Sequence, residues 1–68
     1  MEKFAQKIKE LRLEKKLLQK TVADEVGISE RAYSRYENNE SEPTQEVLVK
    51  LARFFNVTVD YLLGETDY

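Results

Sequence analysis

An all-α fold, a compact five-helix bundle with its helices crossing at steep angles, is what this 68-residue sequence predicts. Three observations carry that prediction. Apolar residues recur at helical spacing along the chain, and no stretch alternates apolar and polar residues as a strand would. The two glycines and the single proline all fall where one element should give way to the next. A chain of this size makes one domain, here residues 1–68, and buries only about 60% of the surface its unfolded form exposes. Its short connections leave no room for long antiparallel hairpins, so the helices are expected to pack orthogonally.

The elements follow in order. Phe4, Ile8 and Leu11 stand at i, i+4 and i+7 and predict a first helix over about residues 2–16, with Leu17 and Leu18 marking a change of direction. A second helix reads from Gln19 to Val26, with Val22, Ala23 and Val26 inward. Gly27 ends it, because the left-handed residue beyond a helix is cheapest without a side chain. Ile28 then acts as a hydrophobic plug, and Ser29 caps a third helix whose first turn holds Glu30 at the positive end of the dipole. Asn38-Asn39 stops that helix, since asparagine tolerates left-handed geometry. Pro43 keeps Glu42 out of helix, and Thr44 caps a fourth helix lined by Val47, Leu48, Leu51, Ala52 and Phe55 and broken at Asn56. Thr58 caps a short fifth helix that Gly64 closes.

Composition excludes several classes of function. Apolar residues at 41% and charged residues at 35% are globular values. Without cysteine or histidine the chain has no disulfide, no thiolate chemistry, no common zinc ligand and no imidazole base, so no cofactor, metal or catalysis is expected. No apolar run approaches a membrane span, and charges interrupt the N-terminal segment, which points to a cytoplasmic domain without membrane contact. The net charge of −2 speaks against a nucleic-acid partner, but its distribution does not. Residues 1–20 carry seven basic and three acidic side chains, whereas residues 37–46 carry four glutamates and no base. In isolation the lysine-rich end reads as an ordinary solvated helix face.

Two short helices joined at Gly27-Ile28-Ser29 make a helix-turn-helix, in which the second helix enters the major groove while the first braces it on the backbone. At about 100° per residue, with Glu30 at zero, Ser34, Arg31 and Arg35 fall within about 140° on one side. Ala32, Tyr36 and Tyr33 fall between about 200° and 300° on the other. The third helix therefore splits into a polar face and a face of two phenol rings and an alanine. Any surface helix is amphipathic; the preceding turn is what gives the split meaning.

The run from Gln19 to Asn38 (QKTVADEVGISERAYSRYEN) resembles the Cro/C1-type (XRE) helix-turn-helix domain of phage repressors and bacterial regulators. The resemblance extends upstream through Ile8-Lys9-Glu10-Leu11-Arg12 and downstream through Glu42-Pro43-Thr44 and the segment from Val57 to Gly64, covering about residues 4–64. It implies a lambda-repressor-like fold and a sequence-specific transcriptional regulator, a repressor by preference, bound to near-palindromic double-stranded DNA. It implies that Gln19 bonds a phosphate and often a recognition-helix side chain, and that Ser29 reaches phosphate. Glu30, Arg31, Ser34 and Arg35 stand where the family reads base edges, with Arg31 the strongest candidate for bidentate contact with guanine. Lys20 and Asn38 complete the DNA-facing set, with Lys15 or Lys16 as further backbone contacts. Arg12 and Glu37 match the family's structural arginine–glutamate pair.

The sequence also departs from the family pattern. Glu30 serves either the helix dipole or cytosine N4, the dipole being the preferred role. Asn39 stands where glycine is usual. In the loop Glu40-Ser41-Glu42, two carboxylates occupy a place where many relatives hold phosphate with basic residues. Tyr33 replaces a small aliphatic residue and is assigned a core ring with its hydroxyl at the surface, the alternative being a phosphate or base contact. Phe54, Phe55, Tyr61, Leu62, Leu63 and Tyr68 make the C-terminal third rich in apolar groups, partly core and partly a surface for a homodimer. No room is expected for a small-molecule domain. The competing reading keeps the fold but makes it a protein-interaction or antitoxin module, which the acidic loop and weak overall charge favour.

Overall fold

A computed structural model describes residues 1–67, which form five α-helices and no strand: α1 (Glu2–Glu14), α2 (Gln19–Val26), α3 (Glu30–Glu37), α4 (Gln45–Phe55) and α5 (Val59–Leu62). Tyr68, part of the expected C-terminal apolar set, lies outside the described residues. The apolar stripes converge as their spacing requires. Phe4, Ile8 and Leu11 of α1, Val22, Ala23 and Val26 of α2, Tyr33 of α3, Leu51, Ala52 and Phe55 of α4 and Leu62 of α5 form one buried cluster. Ile28 packs against this cluster from the turn, as do Val47 and Leu48 from α4.

Three helices start on the caps expected of them. Ser29 Oγ accepts from the Ala32 N–H at 3.0 Å, Thr44 Oγ1 from Val47 at 3.2 Å, and Thr58 Oγ1 from Tyr61 at 3.0 Å. Each bond satisfies a first-turn donor that has no partner within the helix.

All five helices end in the same way. Among the described residues, the positive-φ positions are Lys16, Gly27, Asn39, Asn56 and Gly64, and each follows a helix. At each of them two backbone bonds close the end: the left-handed residue donates to the carbonyl three residues back, and the next residue donates five back. Ile28 N–H to Ala23 O at 3.0 Å and Val57 N–H to Ala52 O at 2.9 Å are examples. This is the Schellman arrangement, and it satisfies carbonyls the helix itself leaves orphaned. Leu17, Ile28 and Val57 follow the left-handed residue at three of these ends and pack against the core, so the motif also steers the next segment inward.

The structure corrects the sequence reading at two points. Helix α1 ends at Glu14, two residues earlier than expected, because Lys16 adopts φ 56°. A lysine in that conformation carries a Cβ penalty of about 1 kcal/mol, so residue type gave no signal of it. Tyr33 is fully buried, hydroxyl included, so neither a surface hydroxyl nor a phosphate or base contact describes it.

Candidate nucleic-acid interface

The α2–turn–α3 unit (residues 19–37) is built from the elements above. Gly27, at φ 77°, folds the chain back sharply, and Ser29 caps α3 two residues after the left-handed residue. Tyr33 then anchors α3 from within, while Tyr36 packs edge-on to Phe4 of α1 with ring centroids 6.4 Å apart. Their opposite face is left to solvent. Arg31 and Arg35 are exposed there, and among the described residues neither forms an ion pair or a side-chain hydrogen bond.

A buried clamp holds this helix in place. Glu37, at the end of α3, receives Arg12 Nε at 2.7 Å on Oε2 and Arg12 Nη2 at 3.0 Å on Oε1. Gln19 Nε2, from the first residue of α2, donates to the same Oε1 at 3.1 Å. Arg12 Nη1 donates to the Leu17 carbonyl at 2.9 Å. One carboxylate thus ties the end of α1, the start of α2 and the end of α3 together. Only 12% of the Arg12 side chain and 2% of the Glu37 side chain remain exposed, so the pair is desolvated and depends on these bonds.

Burial by itself would raise the Glu37 pKa, but the hydrogen bonds from Arg12 and Gln19 outweigh it and hold the carboxyl below its usual range. The hydrogen bond to Glu37 raises the Arg12 pKa above its usual value against the opposing effect of burial. Burial also pushes the Tyr33 phenol far up, and the adjacent Glu37 charge adds to that. The Tyr33 hydroxyl lies beside the clamp without a well-formed hydrogen bond of its own.

Gln19, Glu30, Arg31, Ser34 and Arg35 line one open concavity of about 750 Å³, together with Glu40. The sequence-predicted residues outside this lining are Lys20, Ser29 and Asn38, together with Lys15 and Lys16, which are exposed just past the end of α1. Lys20 is exposed and its ammonium meets Asp24 at 3.0 Å one helical turn on, a partner that raises its pKa. Ser29 uses its hydroxyl oxygen as the α3 cap, and exposed Asn38 follows the last residue of α3. Two features escaped sequence reasoning: the Leu17 carbonyl as the third acceptor of Arg12, and the position of Glu40 at the concavity. The loop's acidity was visible; what brings Glu40 back to α3 is the left-handed turn at Asn39 and the bond from the Glu40 N–H to the Arg35 carbonyl.

A short helix that turns two exposed guanidinium groups and a hydroxyl to an open concavity, behind a tight left-handed turn and a bracing helix, defines a domain of the helix-turn-helix class. The sequence profile described as helix-turn-helix matches residues 8–62. The chain belongs to this family, the Cro/C1-type helix-turn-helix domains, which is not a family of enzymes.

Similarity to individual proteins agrees. The chain is 39% identical over 64 residues to the uncharacterized HTH-type transcriptional regulator YobD of Bacillus subtilis (strain 168), a match covering 94% of this chain and 57% of that protein. It is 45% identical over 62 residues to the cryptic phage CTXphi transcriptional repressor RstR of Vibrio cholerae serotype O1, covering 85% of this chain and 55% of RstR. The fold superposes on the crystal structure of the P22 c2 repressor in complex with a synthetic operator with a TM-score of 0.84 at 32% identity, covering 87% of this chain and 89% of that one. The chain spans about half the length of the curated relatives it matches. Among the described residues no helix is long and apolar enough to cross a membrane.

Proposed function

We propose that this chain is the double-stranded-DNA-binding module of a transcriptional regulator, a repressor, and that it inserts α3 into the major groove. The observation that carries this reading is the contrast between the clamp and the exposed face. Arg12, Gln19 and Glu37 immobilise α3, while among the described residues Arg31 and Arg35 on that helix have no partner of their own. A fixed helix with free guanidinium groups suits readout of guanine O6 and N7, in which position and bidentate geometry matter more than charge. The repressor names of RstR and the operator-bound P22 protein support the same reading.

Arg31 is assigned a base contact, Arg35 a base or phosphate contact, and Ser34 a base-edge contact. Gln19 retains a second amide hydrogen for phosphate, which Ser29, Lys20 and Asn38 also approach from the ends of the two helices. Glu30 serves the dipole of α3 or accepts from cytosine N4. The longest dimension of the chain is 28 Å, whereas paired half-sites lie about 34 Å apart. One copy therefore covers one half-site, and a homodimer on a near-palindromic operator completes the proposal. Phe54, Tyr61 and Leu63, half-buried near the C-terminal end, are its assigned contact surface. The reading places the protein in the cytoplasm with the DNA.

Selection of bound sequences from a random duplex pool tests the proposal, followed by titration of the selected site and of a scrambled duplex at rising salt. The expected result is one enriched, two-fold symmetric site and an affinity that falls steeply with salt. One observation favours a protein-interaction module instead: Glu30 and Glu40 balance Arg31 and Arg35 within the same concavity. Retention of no duplex at low salt would establish that alternative over DNA binding.

A further inference from the structure

Glu40 is the one residue of the α3 concavity that the DNA-binding reading leaves without a task. It is not a loose loop residue. Its backbone N–H donates to the Arg35 carbonyl at 2.8 Å as the second bond closing α3, so its Cα is tied to the recognition helix. Its exposed side chain lines the concavity with Arg31, Ser34 and Arg35 and forms no ion pair among the described residues. Glu30 shares that concavity from the opposite, N-terminal end of α3, where a helix inserts its base-reading residues. Glu40 stands beyond the C-terminal end, where a helix lying in the groove leaves the base edges and meets a phosphate strand.

We propose, on the basis of the DNA-binding reading, that Glu40 is an affinity-limiting residue. It sets a fixed negative charge opposite the DNA phosphate backbone and weakens binding to every sequence by the same factor, leaving base readout to α3. The arginines then supply recognition without a surplus of sequence-independent attraction. In a chain with net charge −2, this makes occupancy depend on the base contacts.

The test measures affinity for the selected site and for a scrambled duplex between about 50 and 200 mM salt, using Glu40→Gln, Glu40→Lys and Glu46→Gln. Glu46 pairs with Lys50 on α4, outside the concavity, and its variant makes the same change in net charge as Glu40→Gln. Circular dichroism checks that each variant folds. Glu40→Gln is expected to tighten both duplexes equally, by roughly threefold at low salt, the size of one screened charge–charge repulsion. Glu40→Lys is expected to tighten both further and to steepen the salt dependence by about 0.9, as one added phosphate contact does. Glu46→Gln is expected to change neither. Loss of affinity for the selected site alone in Glu40→Gln would make Glu40 a base reader and overturn the proposal. Unchanged binding, or an equal gain in Glu46→Gln, would overturn it as well. A wild-type chain that retains no duplex would instead refute the DNA-binding reading beneath it.

Discussion

Arg12 and Arg31 are the same residue put to opposite uses. Arg12 is nearly buried and spends three of its nitrogens on Glu37 and the Leu17 carbonyl. Arg31 is exposed and bonds nothing among the described residues. The difference lies in what surrounds each guanidinium. A charge removed from water must be matched by fixed acceptors, and once matched it locks the elements that carry them. A charge left in water keeps its donors for whatever arrives. The first arrangement supplies rigidity and the second supplies a readable surface, and the protein places them at the two ends of one connected path through α3.

The largest effect is expected at Arg12. Arg12→Ala should destabilise the fold by about 3 kcal/mol, because Glu37 is left buried without its main partner. Denaturant titration measures this, and native stability in the variant would show that the clamp does not hold the fold. Arg31→Ala should do the reverse. Its melting should match wild type, while affinity for the selected DNA site falls by about 2 kcal/mol and discrimination relaxes at one base pair. Unaltered discrimination between selected and scrambled duplexes would contradict that role.

The clamp also has a pH signature. The Glu37 pKa is depressed in the folded state, so its contribution to stability is complete above the ordinary glutamate value of about 4.3. That contribution is lost as the pH falls from there through the lower folded value. The gap in melting temperature between wild type and Glu37→Gln should therefore be full at neutral pH and shrink on acidification below about pH 4. A gap that stays constant would mean that the charge of Glu37 is not what matters.

Smaller effects are expected in the scaffold. Lys16→Gly relieves the left-handed strain at the end of α1 and should stabilise the fold by about 0.5–1 kcal/mol, the greater freedom of glycine in the unfolded chain offsetting part of the gain. Tyr33→Phe removes a buried hydroxyl that lacks a well-formed bond, and should alter stability by no more than about 0.5 kcal/mol. A loss of 2 kcal/mol or more in chemical denaturation would show that the hydroxyl supports the clamp after all.

Much of the fold could be read along the chain, and the reasons are local. Ser29, Thr44 and Thr58 cap helices by bonds that span three residues, and Gly27, Asn39, Asn56 and Gly64 end helices by bonds that span three and five. The candidate site was legible in part. The division of α3 into a polar and a phenolic face followed from helical geometry alone, whereas the pairing of Arg12 with Glu37 entered through family resemblance and not through spacing. Lys16 was missed because lysine is not a residue that favours positive φ.

Sequence alone, then, determined where the helices begin, where all but α1 end, and which face of each is apolar, since those properties depend on neighbours within a turn or two. Tertiary structure decided the rest. Arg12 meets Glu37 across 25 residues of chain, Gln19 joins them from 18 residues away, and the Tyr33 hydroxyl is sealed in beside Arg12 and Glu37. Gln19 of α2 and Glu40 beyond α3 come to line one concavity. Such encounters are set by how packed helices cross, and the chain's local preferences say nothing of a crossing until the common core has formed.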